Sequence, residues 1–195
     1  MRDTKSEMTA AKAAYREEHF NDALEMLERI LSEPPHDESA IYLAARIYES
    51  GNSSHGVDYE KALDYYQRLA RDIDSDISSI GAIGCARTLS KKDCCANQHL
   101  IESYCLRAIE INGSISASFI LGQMYEQCQG KYKLARQHYL RMFRYRRPLG
   151  LRYYARSHMK YGSTVIGILA HVATTLVSPI YFIINKRAIH PEIDR

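Results

Sequence analysis

Four small residues recur along the chain at nearly even spacing: Ala11, Ala45, Gly84 and Gly122, separated by 34, 39 and 38 positions. Each precedes a second cluster: Phe20-x-x-Ala23, Tyr59-x-x-Ala62, Leu100 with Ile101, and Tyr132-x-x-Ala135. A period of this length predicts stacked helix pairs, each burying its apolar face only against its neighbours. The small residue belongs where the two helices of a pair cross closely, and the aromatic and Ala of the second helix fill the matching hole. The first pair shows the local pattern. Ala10, Ala11, Ala14, Phe20, Ala23, Leu24, Leu27, Ile30 and Leu31 fall on helical spacing, with a weak break at His19–Asn21 and a firm one at Glu33-Pro34-Pro35-His36.

The stretch AIYLAARIYESGNSSHGVDYEKALDYYQRLARD, Ala40 to Asp72, resembles a Sel1-like repeat, a longer relative of the tetratricopeptide repeat, through Ala45, Tyr48, Gly51, Val57, Asp58, Tyr59, Lys61, Ala62 and Tyr66. Residues 8–38 resemble an ordinary tetratricopeptide repeat through Ala11, Phe20, Ala23 and Pro35, and residues 115–148 match through Gly122, Tyr125, Tyr132, Ala135 and Tyr139. The unit at 77–113 is degenerate: Arg87 stands where an aromatic is usual, and the polar run SKKDCCANQH is expected as the loop between its helices. The resemblance implies an all-α fold, an α-solenoid of about four helix-turn-helix repeats that binds other proteins.

The C-terminal stretch differs in kind. Residues 163–184 contain no Asp, Glu, Lys or Arg over 22 positions. As a helix they reach roughly 33 Å, about one hydrocarbon core. They are apolar all round rather than on one stripe, which a stack only two layers thick has no means to cover. The expectation is a transmembrane helix. The organisation then reads as a repeat domain (1–148), a basic juxtamembrane capping helix (149–162), a transmembrane helix (163–184) and a short tail (185–195). A buried C-terminal helix, or two short ones broken at Ser178-Pro179, is the competing structural reading.

Charge divides along the same line. Residues 1–80 hold 17 acidic and 9 basic side chains, residues 81–195 hold 6 and 17, and Lys131–Lys160 carries ten Lys or Arg with no acid. Arg144, Arg146, Arg147, Arg152, Arg156 and Lys160 are expected at an anionic lipid surface, where each juxtamembrane cation contributes about 1 kcal/mol. The excess of basic residues before the apolar stretch places the repeat domain on the cytoplasmic side of a single-pass protein, although Lys186 and Arg187 follow it. No nucleic-acid motif accompanies the basic run, so nucleic acid is not expected as a partner.

The N-terminus has no signal-peptide core. The five cysteines (Cys85, Cys94, Cys95, Cys105, Cys128) are odd in number, with two adjacent, and are expected as free thiols in a reducing cytosol. Cys95 and His99 share a helical spacing but lack the second ligand pair of a structural zinc site, so no metal is expected. There is no phosphate loop, no G-x-S-x-G and no H-E-x-x-H, and neither catalytic residues nor a cofactor is expected.

First helices of such pairs line the concave surface. The candidate partner-binding residues are Lys12, Tyr15, Tyr42, Arg46, Glu49, Phe119, Gln123 and Glu126, with Cys85 and Thr88 between them. Rings, charges and an amide suit an extended peptide or a helix. The Lys/Asn pattern with which some tetratricopeptide co-chaperones clamp a chain-terminal carboxylate is missing at Met8, Lys12, Leu43, Arg46 and Ala82. The functional expectation is a membrane-anchored adaptor holding a protein partner at the cytosolic face. Its alternatives are a soluble repeat regulator and an accessory subunit of a membrane enzyme.

Overall fold

The computed structural model describes residues 4–32, 34, 37–52, 54, 56–71, 75–144 and 148–184, and their side chains apart from Thr4, Pro148 and 177–184. Ten helices and no strands occur among these residues: α1 (Thr4–Arg16), α2 (Phe20–Leu31), α3 (Glu38–Ser50), α4 (Tyr59–Leu69), α5 (Asp76–Asp93), α6 (Gln98–Asn112), α7 (Ile115–Gln127), α8 (Tyr132–Arg144), α9 (Pro148–Tyr161) and α10 (Thr164–Ile184). The recurrent aromatics Phe20, Tyr59 and Tyr132 are each the first residue of a second helix. The alanines three positions on, Ala23, Ala62 and Ala135, have no exposed surface.

Local chemistry sets the boundaries. Asp37 caps α3 by accepting from the Ser39 and Ala40 amides at 2.7 and 3.2 Å, and Asp58 caps α4 by accepting from Lys61 at 3.0 Å. Ser75 and Ser114 do the same for α5 and α7, accepting from Ser78 at 3.1 Å and Ala117 at 3.2 Å. Such side chains satisfy amides that have no partner inside the helix. Gly51 ends α3 in the left-handed conformation, φ +68°, where a side chain would be strained.

Two of the sequence expectations change here. The run SKKDCCANQH is not a loop throughout, since α5 continues to Asp93 and α6 starts at Gln98. The cysteines are not all free: Cys85, Cys94 and Cys105 are, whereas Cys95 and Cys128 are each in a disulfide.

The chain divides into two compact units, residues 1–117 and 118–195. In the first, α1 packs on α2, α2 on α3, α3 on α4, α4 on α5 and α5 on α6, so the core runs continuously through the pairs. Tyr48, Tyr66, Leu24, Leu27, Ile47 and Ile101 are its large fully buried side chains. The close crossing at Gly84 lies between pairs rather than within one. A Cβ there would stand 2.2 Å from the Tyr66 ring of α4.

In the second unit α8 packs on α9 and α9 on α10. Here the small residue does sit within its own pair, because a Cβ on Gly122 would meet the Tyr139 ring of α8 at 2.4 Å. α9 and α10 form a further helical hairpin turned at Gly162-Ser163. Gly167 of α10 lies against Met159 and Ala155 of α9, where a Cβ would come within 2.5 Å of Met159 Cγ. Arg136 of α8 fastens the end of α9 by donating to the Tyr161 carbonyl at 3.0 Å.

Among the described residues no helix is long and apolar enough to cross a membrane. The stretch read from the sequence as a span, 163–184, runs past the last described side chain, Leu176. Pro35, Arg146, Arg147 and the tail at 185–195 lie outside the described residues.

Candidate partner-binding surface

One sequence-selected residue of the first unit, Glu49, is a buried carboxylate whose partners come from α4 and α5. Glu49 leaves α3 near its C-terminal end and is 3% exposed. Arg87 of α5 donates to it twice, Nε to Oε1 at 2.7 Å and Nη2 to Oε2 at 2.6 Å. Lys91, one turn later, is 2.8 Å from Oε1, and the Tyr66 hydroxyl of α4 donates to Oε2 at 2.9 Å. Each carboxylate oxygen thus accepts two hydrogen bonds, which fills its capacity. Arg87 also donates to the Tyr66 oxygen at 2.8 Å and lies over the Tyr66 ring, 5.6 Å from its centroid.

Burial by itself would raise the Glu49 pKa, but the Arg87 hydrogen bonds and charge, followed by Lys91, outweigh it and hold the carboxyl down to about 2. The same burial pushes the Tyr66 phenol well above its ordinary value, with the Glu49 charge adding to it. Because the folded pKa of Glu49 lies below its ordinary value of 4.5, its stabilisation is complete above that value and is lost as pH falls from there toward 2. Acid titration of the melting temperature should therefore show a loss on the order of 3 kcal/mol across this window. In an Arg87→Leu variant that window should shrink toward the ordinary carboxylate range.

Arg87 is the residue that makes the third repeat look degenerate in sequence. The structure gives it a role that an aromatic at this place would not fill, as the counter-ion of the preceding repeat. The only signal for it in the sequence is the departure from the repeat pattern.

Of the other sequence-selected residues of this unit, Tyr42 and Arg46 lie near that centre. Tyr42 is half-buried, its ring 6.4 Å from that of Tyr66. Tyr15 packs edge-on against Phe20 at 5.5 Å, and Lys12, one turn earlier on α1, is exposed. Arg46 is half-buried, one turn after Tyr42, within electrostatic reach of Arg87, Tyr42, Tyr66 and Tyr15. Glu49 itself is placed in the packing beneath this face, not on it. Cys85 and Thr88 are also buried, and burial pushes the Cys85 thiol up to about 12, so it is not a nucleophile at neutral pH.

The second unit repeats the arrangement with fewer cations. Glu126 stands in α7 where Glu49 stands in α3, and is likewise buried. The Tyr139 hydroxyl donates to it at 2.8 Å, and Arg156 of α9 approaches to 3.9 Å. Phe119, half-buried, meets the Tyr153 ring edge-on at 4.8 Å, and Gln123 is half-buried one turn on. Of the residues selected for a lipid surface, Arg144, Arg152, Arg156 and Lys160 are exposed. Arg156 and Lys160 lie over the rings of Tyr153 and Tyr161, at 4.9 and 4.7 Å from the centroids. No group of three His, Cys, Asp or Glu able to hold a metal ion occurs among the described residues.

This geometry is that of a tetratricopeptide-like helical repeat, and solved structures share it. The chain superposes on a crystal structure of MamA with a TM-score of 0.69 at 13% identity, covering 85% of this chain and 92% of that one. It superposes on TTC0263, a thermophilic TPR protein in Thermus thermophilus, with a TM-score of 0.62 at 17% identity, covering 90% and 92%. No family model matches the sequence, and no curated protein does. At these identities the likeness shows the fold alone: an all-α, tetratricopeptide-like helical repeat.

Proposed function

We propose that this chain is a membrane-attached scaffold that holds a protein partner through the first-helix face of its repeats, on the cytosolic side. The single observation that carries the attachment is the outer face of α10. Val165, Ile166, Ile168, Leu169, Val172 and Leu176 are 44–67% exposed, while the buried positions of the same stretch are Gly167 and Thr174. A helix of a water-soluble stack does the reverse, turning its large aliphatics inward. Here small residues meet α9 and large ones are left for another medium. Covering those six residues is worth on the order of 5–10 kcal/mol, taking about half of a full side-chain burial for each.

The sequence continues in the same character, with no charge between Val177 and Ile184. The exposed Arg152, Arg156 and Lys160 of α9 lie on the helix packed against α10, where anionic headgroups would meet them. A single-pass anchor at 163–184 follows, with the partner surface on the repeats. The reading requires no catalytic residue, cofactor or metal, and nucleic acid is not among its partners.

Flotation of the full chain with phosphatidylcholine/phosphatidylserine vesicles tests the attachment. The protein should rise with the vesicles and stay with them in high salt and alkaline carbonate. A Leu169→Glu/Val172→Glu variant should bind at least tenfold less. A detergent-free, monodisperse monomer that stays at the bottom of the gradient would overturn the reading. A dimer closing over the α10 face would replace the membrane with a second copy.

A further inference from the structure

The Glu49 cluster holds more positive charge than its one carboxylate can use. Arg87, Lys91 and the Tyr66 hydroxyl occupy all four acceptor positions of Glu49. Arg46, half-buried on the same face and near Arg87, makes no hydrogen bond or ion pair with any described residue. A guanidinium with no hydrogen-bond partner of its own can take a carboxylate through two parallel hydrogen bonds. Tyr15, Tyr42 and Tyr66 lie within electrostatic reach of Arg46, and the Tyr42 and Tyr66 rings are 6.4 Å apart.

We infer that Arg46, flanked by Tyr15 and Tyr42, is the receptor for an Asp or Glu side chain of a partner peptide. The planar guanidinium takes a carboxylate through two parallel hydrogen bonds, and the tyrosine rings cover the apolar residues beside it. Glu49 and Arg87 form the floor: by saturating each other they keep Arg46 free for the incoming acid. The inference rests on the partner-binding half of the proposed function and is independent of membrane attachment.

The test uses an array of C-terminally amidated 12-residue peptides in which a central Glu or Asp is set among Ala, Leu and Tyr. Each is paired with its Gln or Asn counterpart, and binding to the full chain in detergent is measured by fluorescence anisotropy. Acidic members should bind at least tenfold more tightly than their amide twins. Arg46→Met should remove that discrimination, and Arg46→Lys should keep part of it. Because Arg46 makes no hydrogen bond or ion pair with any described residue, Arg46→Met should melt close to the parent, which separates lost recognition from lost folding.

Equal binding of acid and amide peptides, unchanged discrimination in Arg46→Met, or no binding by any member overturns the inference. So does preference for Gln peptides with a free C-terminal carboxylate over amidated Glu peptides. If Tyr42→Ala weakens binding and Arg46→Met does not, the partner face stands and acid recognition falls. Flotation, read separately, reports only on the anchor.

Discussion

Glu49→Gln should cost about 3–5 kcal/mol and lower the melting temperature by roughly 6–20 °C, followed by circular dichroism on the full chain. The substitution keeps the shape of the side chain and removes its charge. Arg87 and Lys91 then face no counter-ion, with Arg46 close by, and the amide turns a donor toward at least one of them. The loss is the cost of stranding cations in a partly desolvated place more than of the hydrogen bonds themselves. A double-mutant cycle makes this quantitative. Arg87→Leu alone strands the carboxylate with Lys91, whereas Glu49→Leu/Arg87→Leu removes both charges and should recover a large part of the loss. A cycle with no coupling between the two sites would contradict the geometry, since residues joined by two short charge-assisted hydrogen bonds do not act independently.

Gly81→Ala and Gly84→Ala should each destabilise the first unit by about 3 kcal/mol, for different reasons. A Cβ at Gly81 meets backbone, Ala70 N at 2.6 Å and Leu69 C at 2.8 Å, so no rotamer change relieves it and the end of α4 must move away from α5. A Cβ at Gly84 meets the Tyr66 ring at 2.2 Å, and that ring is fixed by its hydroxyl on Glu49. Gly84→Ala should therefore also weaken the Glu49 cluster, visible as a narrower acid window in the pH titration, which Gly81→Ala should leave alone. Gly56→Ala serves as the reference. It has open space around it but a φ of +68°, so it should cost only the strain of a left-handed alanine, about 1 kcal/mol.

Most of the helix layout was legible because its causes are local. Phe20, Tyr59 and Tyr132 open second helices, Asp58 caps one, Gly51 closes another, and the alanines three positions on are buried. These features act over a few residues, so periodicity and capping chemistry expose them. What misled the reading was also local in appearance. The polar run from Ser90 looks like a loop, yet α5 carries it to Asp93, and Lys91 within it reaches Glu49 of α3. The repeat position of Gly84 predicts a crossing within its own pair, whereas it receives Tyr66 of the pair before.

The candidate site was half legible. Repeat register placed Tyr15, Tyr42 and Arg46 on neighbouring first helices, which follows from counting. It gave no means of telling Arg46 from Glu49, two polar residues one turn apart in α3, although one is half-buried with no ion pair to a described residue and the other is 3% exposed and saturated. That distinction depends on where Arg87 and Tyr66 arrive from other helices.

By itself, then, the sequence of this protein determined helices, pairs and their order, since hydrogen bonding along a helix and the burial of one face need only near neighbours. Which charge is spent and which is left over was decided only by the tertiary structure. A carboxylate accepts from whichever donors the packing of α3, α4 and α5 brings within three ångströms, and no spacing along the chain encodes that distance.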